Sequence, residues 1–383
     1  LSKELGKANN VEYVQKDFYA GKSPMPKHEI LDSAGLLLKH LQNFDFSASF
    51  NDPDAEKLWA FNQKSGLDVN GAYGSLPSKD AKEIVVAVVD TGVDHNHEDL
   101  KDVMWVNEDE IPGNKIDDDN NGYIDDIHGI NTLIRDSQGR ATSNTMASHW
   151  HGTHVAGTIA ATQNNGIGIA GVAHNVKIMA IRTVPDDSDE LDSNIVEAFL
   201  YASKNGASVI NCSFGKKVNE GGMVVRDTIN QISQNGVLVV ASAGNDSFGP
   251  MSWANNDISA KFPASFDSEN LLVIASTTSA GNLSSFSNIG PKTVDVASPG
   301  SNIYSTINGN KYSMASGTSM AAPNASGVVA MVMGYYPNLK NTTVKKILME
   351  TVTKVPEFQG KIVTGGRLNL KSALQKAAKR KDI

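Results

Sequence analysis

The 383-residue sequence carries 34 basic and 42 acidic side chains, a formal charge of −8 at pH 7, with 40% hydrophobic and 20% charged residues. That apolar content supports a large core and excludes a disordered chain, and the net acidity argues against nucleic acid or an anionic membrane as the main partner. No apolar run approaches the ~18 residues of a membrane span, and the opening residues lack the apolar stretch of a signal peptide, so an export signal is expected to precede residue 1. The single cysteine, Cys212, excludes an intrachain disulfide framework.

In chain order, residues 2–8 read as a short helix, 11–14 alternate like a strand, and the Gly-Lys-Ser-Pro-Met-Pro run at 21–26 reads as an exposed connector. Apolar residues at 36–41 and 58–61 follow a helical period and are expected to pack on a main domain starting near residue 80. Beyond that point, strands are predicted at 84–89, 176–181, 207–210, 237–241, 271–275 and 294–296. They are continuously apolar rather than alternating, which predicts a sheet covered on both faces. Helices are predicted at 191–204 and 224–234, closed by Asn205-Gly206 and Asn235-Gly236, and later at 319–334, 342–351 and 370–379. The fold class is therefore α/β, a doubly wound, mostly parallel sheet with helices on both faces. Cys212 sits at a strand end, where packing explains it.

Three motifs carry the chemistry. Asp90-Thr91-Gly92 closes the first strand, where open parallel sheets place their sites. His151-Gly152-Thr153-His154 opens a small-residue helix, and Gly317-Thr318-Ser319 turns into another, with Ser319 beside the free N–H groups of its first turn. A serine hydroxyl needs an imidazole to take its proton, and a carboxylate fixes that imidazole's tautomer. Ala243-Gly244-Asn245 ends a buried strand with an amide donor suited to an oxyanion.

In the order Asp, His, Asn, Ser, these motifs resemble those of the subtilisin-like serine proteases, the subtilases, over residues 80–375. The resemblance implies an endopeptidase acting on polypeptide substrates, with Asp90 orienting, His151 as base then acid, Ser319 as nucleophile, and Asn245 with the Ser319 N–H as oxyanion hole. It implies that Ser213, Phe214, Gly215, Ala243 and Gly244 pair with an extended peptide, and that residues 1–22 are the tail of a prosegment, a partner for the cleft, with 23–79 packed on a catalytic domain at 80–383. Export, to the medium or a periplasm, is the expected location. A monomer is expected, although nothing in the sequence sets the oligomeric state. Asn324 departs from the family's usual histidine after Ala-Ala-Pro.

The run Asp117-Asp118-Asp119-Asn120-Asn121-Gly122-Tyr123-Ile124-Asp125 places oxygen ligands at loop positions one, three, five and nine, with glycine at six. Structural Ca²⁺ on Asp117, Asp119, Asn121, the Tyr123 carbonyl and Asp125 is the expectation, although His128 replaces the closing glutamate. The family resemblance implies a second Ca²⁺ site on Asp99 and Asn165, with carbonyls of Thr162, Ile167 and Ile169. Rival readings are a metallohydrolase using His149, His151 and His154, which lacks a His-Glu-x-x-His helix, and a non-catalytic binding protein on the same fold. An aspartic protease would need a second Asp-Thr-Gly or Asp-Ser-Gly, which the sequence lacks.

Overall fold

A computed structural model describes residues 50–78, 80–217, 223–246 and 254–380. The readings made for 2–8, 11–14, 21–26 and 36–41, and that of a prosegment, lie outside these residues. The strands are β1 (Ile84–Asp90), β2 (Asn131–Arg135), β3 (Ala141–Thr142), β4 (Val176–Arg182), β5 (Ala207–Cys212), β6 (Leu238–Ser242), β7 (Leu271–Thr277), β8 (Val296–Pro299), β9 (Ile303–Ile307), β10 (Lys311–Ala315), β11 (Thr353–Lys354) and β12 (Gly366–Arg367). The helices are α1 (Val69–Tyr73), α2 (His151–Ala160), α3 (Asp192–Lys204), α4 (Val224–Ser233), α5 (Thr318–Tyr335), α6 (Asn341–Glu350) and α7 (Leu370–Ala378).

One sheet runs in the order β11-β12-β8-β7-β6-β5-β1-β4-β2-β3. Its centre is parallel, and antiparallel pairs close both edges, β11 with β12 and β2 with β3. Alternate residues of β1 explain the missing polar alternation. Val86 and Val88 enter one apolar layer while Ala87 and Val89 enter the other. Helices α2, α5, α6 and α7 cover the first face, α3 and α4 the second. β8 starts two residues later than 294–296, because Val294 still closes a turn on the Gly290 carbonyl. β9 and β10 form a separate hairpin, against which α2 packs.

β1 lies between β4 and β5, so the chain winds outward from it in both directions. The carboxyl ends of β1 and β5 thus flank the topological switch point, the crevice where such sheets bind ligands. Residues 58–61 form a single 3₁₀ turn, Trp59–Phe61, rather than a longer helix. Trp59, Phe61, Leu67 and Val69 join the core on the α5 face, and Trp59 Nε1 donates to the Ser301 carbonyl at 3.0 Å.

Candidate active site

Asp90 ends β1 with only 1% of its surface exposed. Its Oδ1 accepts from the Thr91 N–H at 2.8 Å and from His151 Nδ1 at 2.7 Å. A carboxylate offers only acceptors, so the imidazole carries its proton on Nδ1 and presents Nε2 as a base. His151 is the first residue of α2, and the helix start is tied to the β1 turn. Thr91 Oγ1 accepts from the Gly152 N–H at 3.1 Å, and a Cβ on Gly152 would collide with the Gly92 carbonyl. The turn needs Gly92 itself, at φ 95°.

Ser319 is the second residue of α5. Its Oγ donates to the Ser213 carbonyl at 3.0 Å, and its own carbonyl accepts from Ser213 Oγ at 2.8 Å. That carbonyl is available because the residue four positions on is Pro323, which has no N–H to return. Asn245 follows β6, and its Oδ1 accepts from Thr318 N (2.9 Å) and Thr318 Oγ1 (3.0 Å). The amide is thereby turned with Nδ2 toward the Gly317 turn, where a Cβ on Gly317 would lie 3.6 Å from it. Gly244 N donates to Thr318 Oγ1 at 3.1 Å, so Thr318, which sequence reasoning did not single out, locks the β6 end onto the start of α5. Its position beside Ser319 was the one available signal.

The residues expected to pair with a peptide lie alongside. Ser213, Phe214 and Gly215 continue from β5, and Ala243 and Gly244 from β6, with Phe214 packed into the second apolar layer. Asn324 is buried and donates to the carbonyls of Pro299 (3.1 Å) and Met320 (3.2 Å), with no hydrogen bond to Asp90, His151, Asn245 or Ser319 among the described residues. The histidines do not converge on one point. His154 Nε2 faces the carbonyls of Ile303 (3.0 Å) and Ser313 (3.2 Å), and the His149 ring leans on Trp150 with Nδ1 accepting from the His151 N–H.

In the acidic loop, carboxylate oxygens of Glu110, Asp117 and Asp119 gather within 4.8 Å of one another. Glu110 was not foreseen. It lies ahead of the twelve-residue frame, where no spacing rule points to it, and burial pushes its carboxyl up. Asn121 Oδ1 accepts from the Tyr123 N–H. Asp125 turns away, its two oxygens accepting from the N–H groups of Gly113 (2.7 Å) and Lys115 (3.1 Å). At the other predicted site, fully buried Asp99 accepts from Asn165 Nδ2 (2.9 Å) and the Ile169 N–H (3.0 Å), and its backbone carbonyl accepts from Thr162. Asp52, also unforeseen, accepts from the N–H groups of Asn164 and Asn165. The Thr162, Ile167 and Ile169 carbonyls accept no hydrogen bond among the described residues.

Comparison with known proteins identifies the scaffold: residues 81–366 match the model of the subtilase family. The chain belongs to the subtilase family. This subtilase is 31% identical over 360 residues to the subtilisin-like protease 1 of Plasmodium berghei (strain Anka), covering 90% of the chain and 58% of the relative. It is 33% identical over 328 residues to an extracellular protease of Xanthomonas campestris pv. campestris, covering 80% and 53%. The chain thus spans little more than half the length of these relatives. Among solved structures, a protease from Pseudoalteromonas arctica PAMC 21717 superposes with a TM-score of 0.67 at 26% identity, covering 86% of this subtilase and all of that chain.

Proposed function

We propose that this subtilase is a serine endopeptidase that hydrolyses polypeptides through an acyl-enzyme, using Asp90, His151, Ser319 and Asn245. The observation that carries the reading is the 2.7 Å contact of Asp90 with His151 Nδ1, at the switch point where the Ser319 turn and the Asn245 amide also lie. Ser319 Oγ leaves the Ser213 carbonyl, gives its proton to His151 Nε2 and bonds to the substrate carbonyl carbon. The oxyanion accepts from Asn245 Nδ2 and the Ser319 N–H. His151 returns the proton to the departing amine as the C–N bond breaks. Water, deprotonated by the same Nε2, then releases the acid and regenerates Ser319. A fluorophosphonate probe should label Ser319 and nothing in Ser319→Ala; labelling elsewhere, or none in folded protein, overturns the assignment.

Structural Ca²⁺ belongs to the same reading. The gathered oxygens of Glu110, Asp117 and Asp119 suit a hard cation, and Asn121 and the Tyr123 carbonyl lie in the same loop. Asp99 with the carbonyls of Thr162, Ile167 and Ile169 offers a second all-oxygen set. Bound ions would hold these loops in place. The triad draws on its own side chains for every proton it moves. Export to the medium or a periplasm is the proposed location, supported by the name of the Xanthomonas relative. Among the described residues no helix is long and apolar enough to cross a membrane.

A further inference from the structure

The cleft ends in a charged cluster that the proposed reaction does not use. Ser213–Gly215 runs out of β5 and is stitched to Phe262 by reciprocal bonds, Lys216 N to the Phe262 carbonyl (3.0 Å) and Phe262 N to the Lys216 carbonyl (2.8 Å). This sets the stem of Lys261 beside Gly215, where a Cβ would lie 3.6 Å from Lys261 Cγ. On the other wall, a Cβ on Gly244 would lie 3.4 Å from Asp246 Oδ2. Asp246 directly follows Asn245. Its Oδ1 is 3.2 Å from Lys217 Nζ, and its Oδ2 is 3.5 Å from Lys261 Nζ and 2.8 Å from Asn288 Nδ2. Burial raises the Asp246 carboxyl, but Lys261, Asn288 and Lys217 together outweigh it and hold the group below the usual carboxylate range.

Both Asp246 oxygens are therefore shared among several donors, whereas Lys261 makes one long ion pair among the described residues. Its ammonium has three donors, its side chain is only 14% exposed, and its ion pair at 3.5 Å is longer than a good N–H···O hydrogen bond. Covalent geometry says what reaches it. In the proposed reaction the carbonyl carbon under attack is placed between Ser319 Oγ and Asn245 Nδ2, and the side chain of that same residue branches from the adjoining Cα. With substrate paired to Ser213–Gly215 and Ala243–Gly244 as the endopeptidase reading has it, that side chain is directed between Gly215 and Gly244, whose open faces look onto Lys261 and Asp246. A cationic side chain would meet two ammonium groups there and find the Asp246 oxygens occupied.

We propose that Lys261 is a specificity-determining residue, pairing with the carboxylate of a glutamate that immediately precedes the scissile bond. Among the described residues, its acidic neighbours are Asp246, which is shared with Lys217 and Asn288, and Glu190, on which Lys261 acts less strongly than Lys216. Asp192 is paired with Lys216 at 2.6 Å, and Glu190 is buried. The inference rests on the endopeptidase reading.

The test is kcat/KM for matched peptide p-nitroanilides differing only in the last residue: Glu, Gln, Lys or Phe. Glu should exceed its isostere Gln by about tenfold or more, and the ratio should shrink in about 1 M salt. Lys261→Gln should bring the Glu-to-Gln ratio to within about twofold of unity, and Lys261→Arg should keep it. Wild-type protein that cleaves Gln as fast as Glu, or a ratio that survives Lys261→Gln, overturns the proposal. The wild-type ratio needs no variant to fold. Fluorophosphonate labelling of Ser319 without a Glu preference sinks this inference alone, whereas folded protein that does not label sinks the endopeptidase reading beneath it.

Discussion

Ser319 and Ser213 hold one another through two hydrogen bonds, hydroxyl to carbonyl in each direction. The proposed nucleophile thus rests against the strand end proposed to pair with substrate. Ser319→Ala should abolish turnover while keeping the fold, read by hydrolysis rate beside an unchanged circular dichroism spectrum. Asn245→Ala should lower kcat by ~10²–10³, the loss that removing an oxyanion amide carries in this family. A kcat within a few-fold of wild type would remove Asn245 from the site. Glu190 presents a different case, because burial raises its carboxyl from 4.5 to about 7. Below the lower value both folded and unfolded chains hold the proton. As pH climbs toward 7 the unfolded chain sheds it and the folded one keeps it, so stability falls across that window by roughly 3 kcal/mol and then levels. Glu190→Gln should therefore raise Tm over wild type above pH 7 and not at pH 4. An equal gain at both pH values would contradict this assignment.

Elements set the distances on which those residues depend. The seat of α2 on the Asp90-Thr91-Gly92 turn leaves no room for a side chain at Gly152. Gly152→Ala should shift His151 away from Asp90 and lower kcat by about 10²-fold, with a smaller effect on KM. Single-turnover rates distinguish this from loss of binding. The central elements were legible in the sequence because 84–89, 207–210 and 271–275 are unbroken apolar runs, and only a doubly covered strand demands that. The β9–β10 hairpin was missed although Asn308-Gly309-Asn310 stands between its strands, with Gly309 at φ 79° and Asn310 at φ 56°. Its serines, threonine and tyrosines dilute the alternation that would have marked it. At the site, the motifs gave Asp90, His151, Asn245 and Ser319 directly. Lys261, Asp246 and Glu110 stayed hidden because each gains its neighbours only through folding: Lys261 reaches Gly215 through the Phe262 bridge, and Glu110 reaches Asp117 through a loop with no fixed spacing.

The ten-stranded sheet of the described residues is covered on both faces, and both oxygen-lined loops lie outside it, in the connections between β1 and β2 and between α2 and β4. With no disulfide to close those connections, bound cations are the proposed substitute. A ligand at 100 times its dissociation constant adds about 2.7 kcal/mol. Chelation should lower Tm by several degrees, and Glu110→Gln should remove part of the calcium-dependent gain. Coincident melting curves with and without calcium would refute both sites.

Helix α5, which carries Ser319, is enclosed by β1, β5, β6, β7 and β8 below it and by α2, α6 and α7 around it. It has no stable resting place until those strands have paired, and the chain segments that pair them are far apart in sequence. On the proposed mechanism, Ser319 is therefore expected to meet His151 only after those strands have paired. A half-folded or newly made chain would then be harmless to itself and to its neighbours, because the proposed cutting group depends on contacts from the whole sheet.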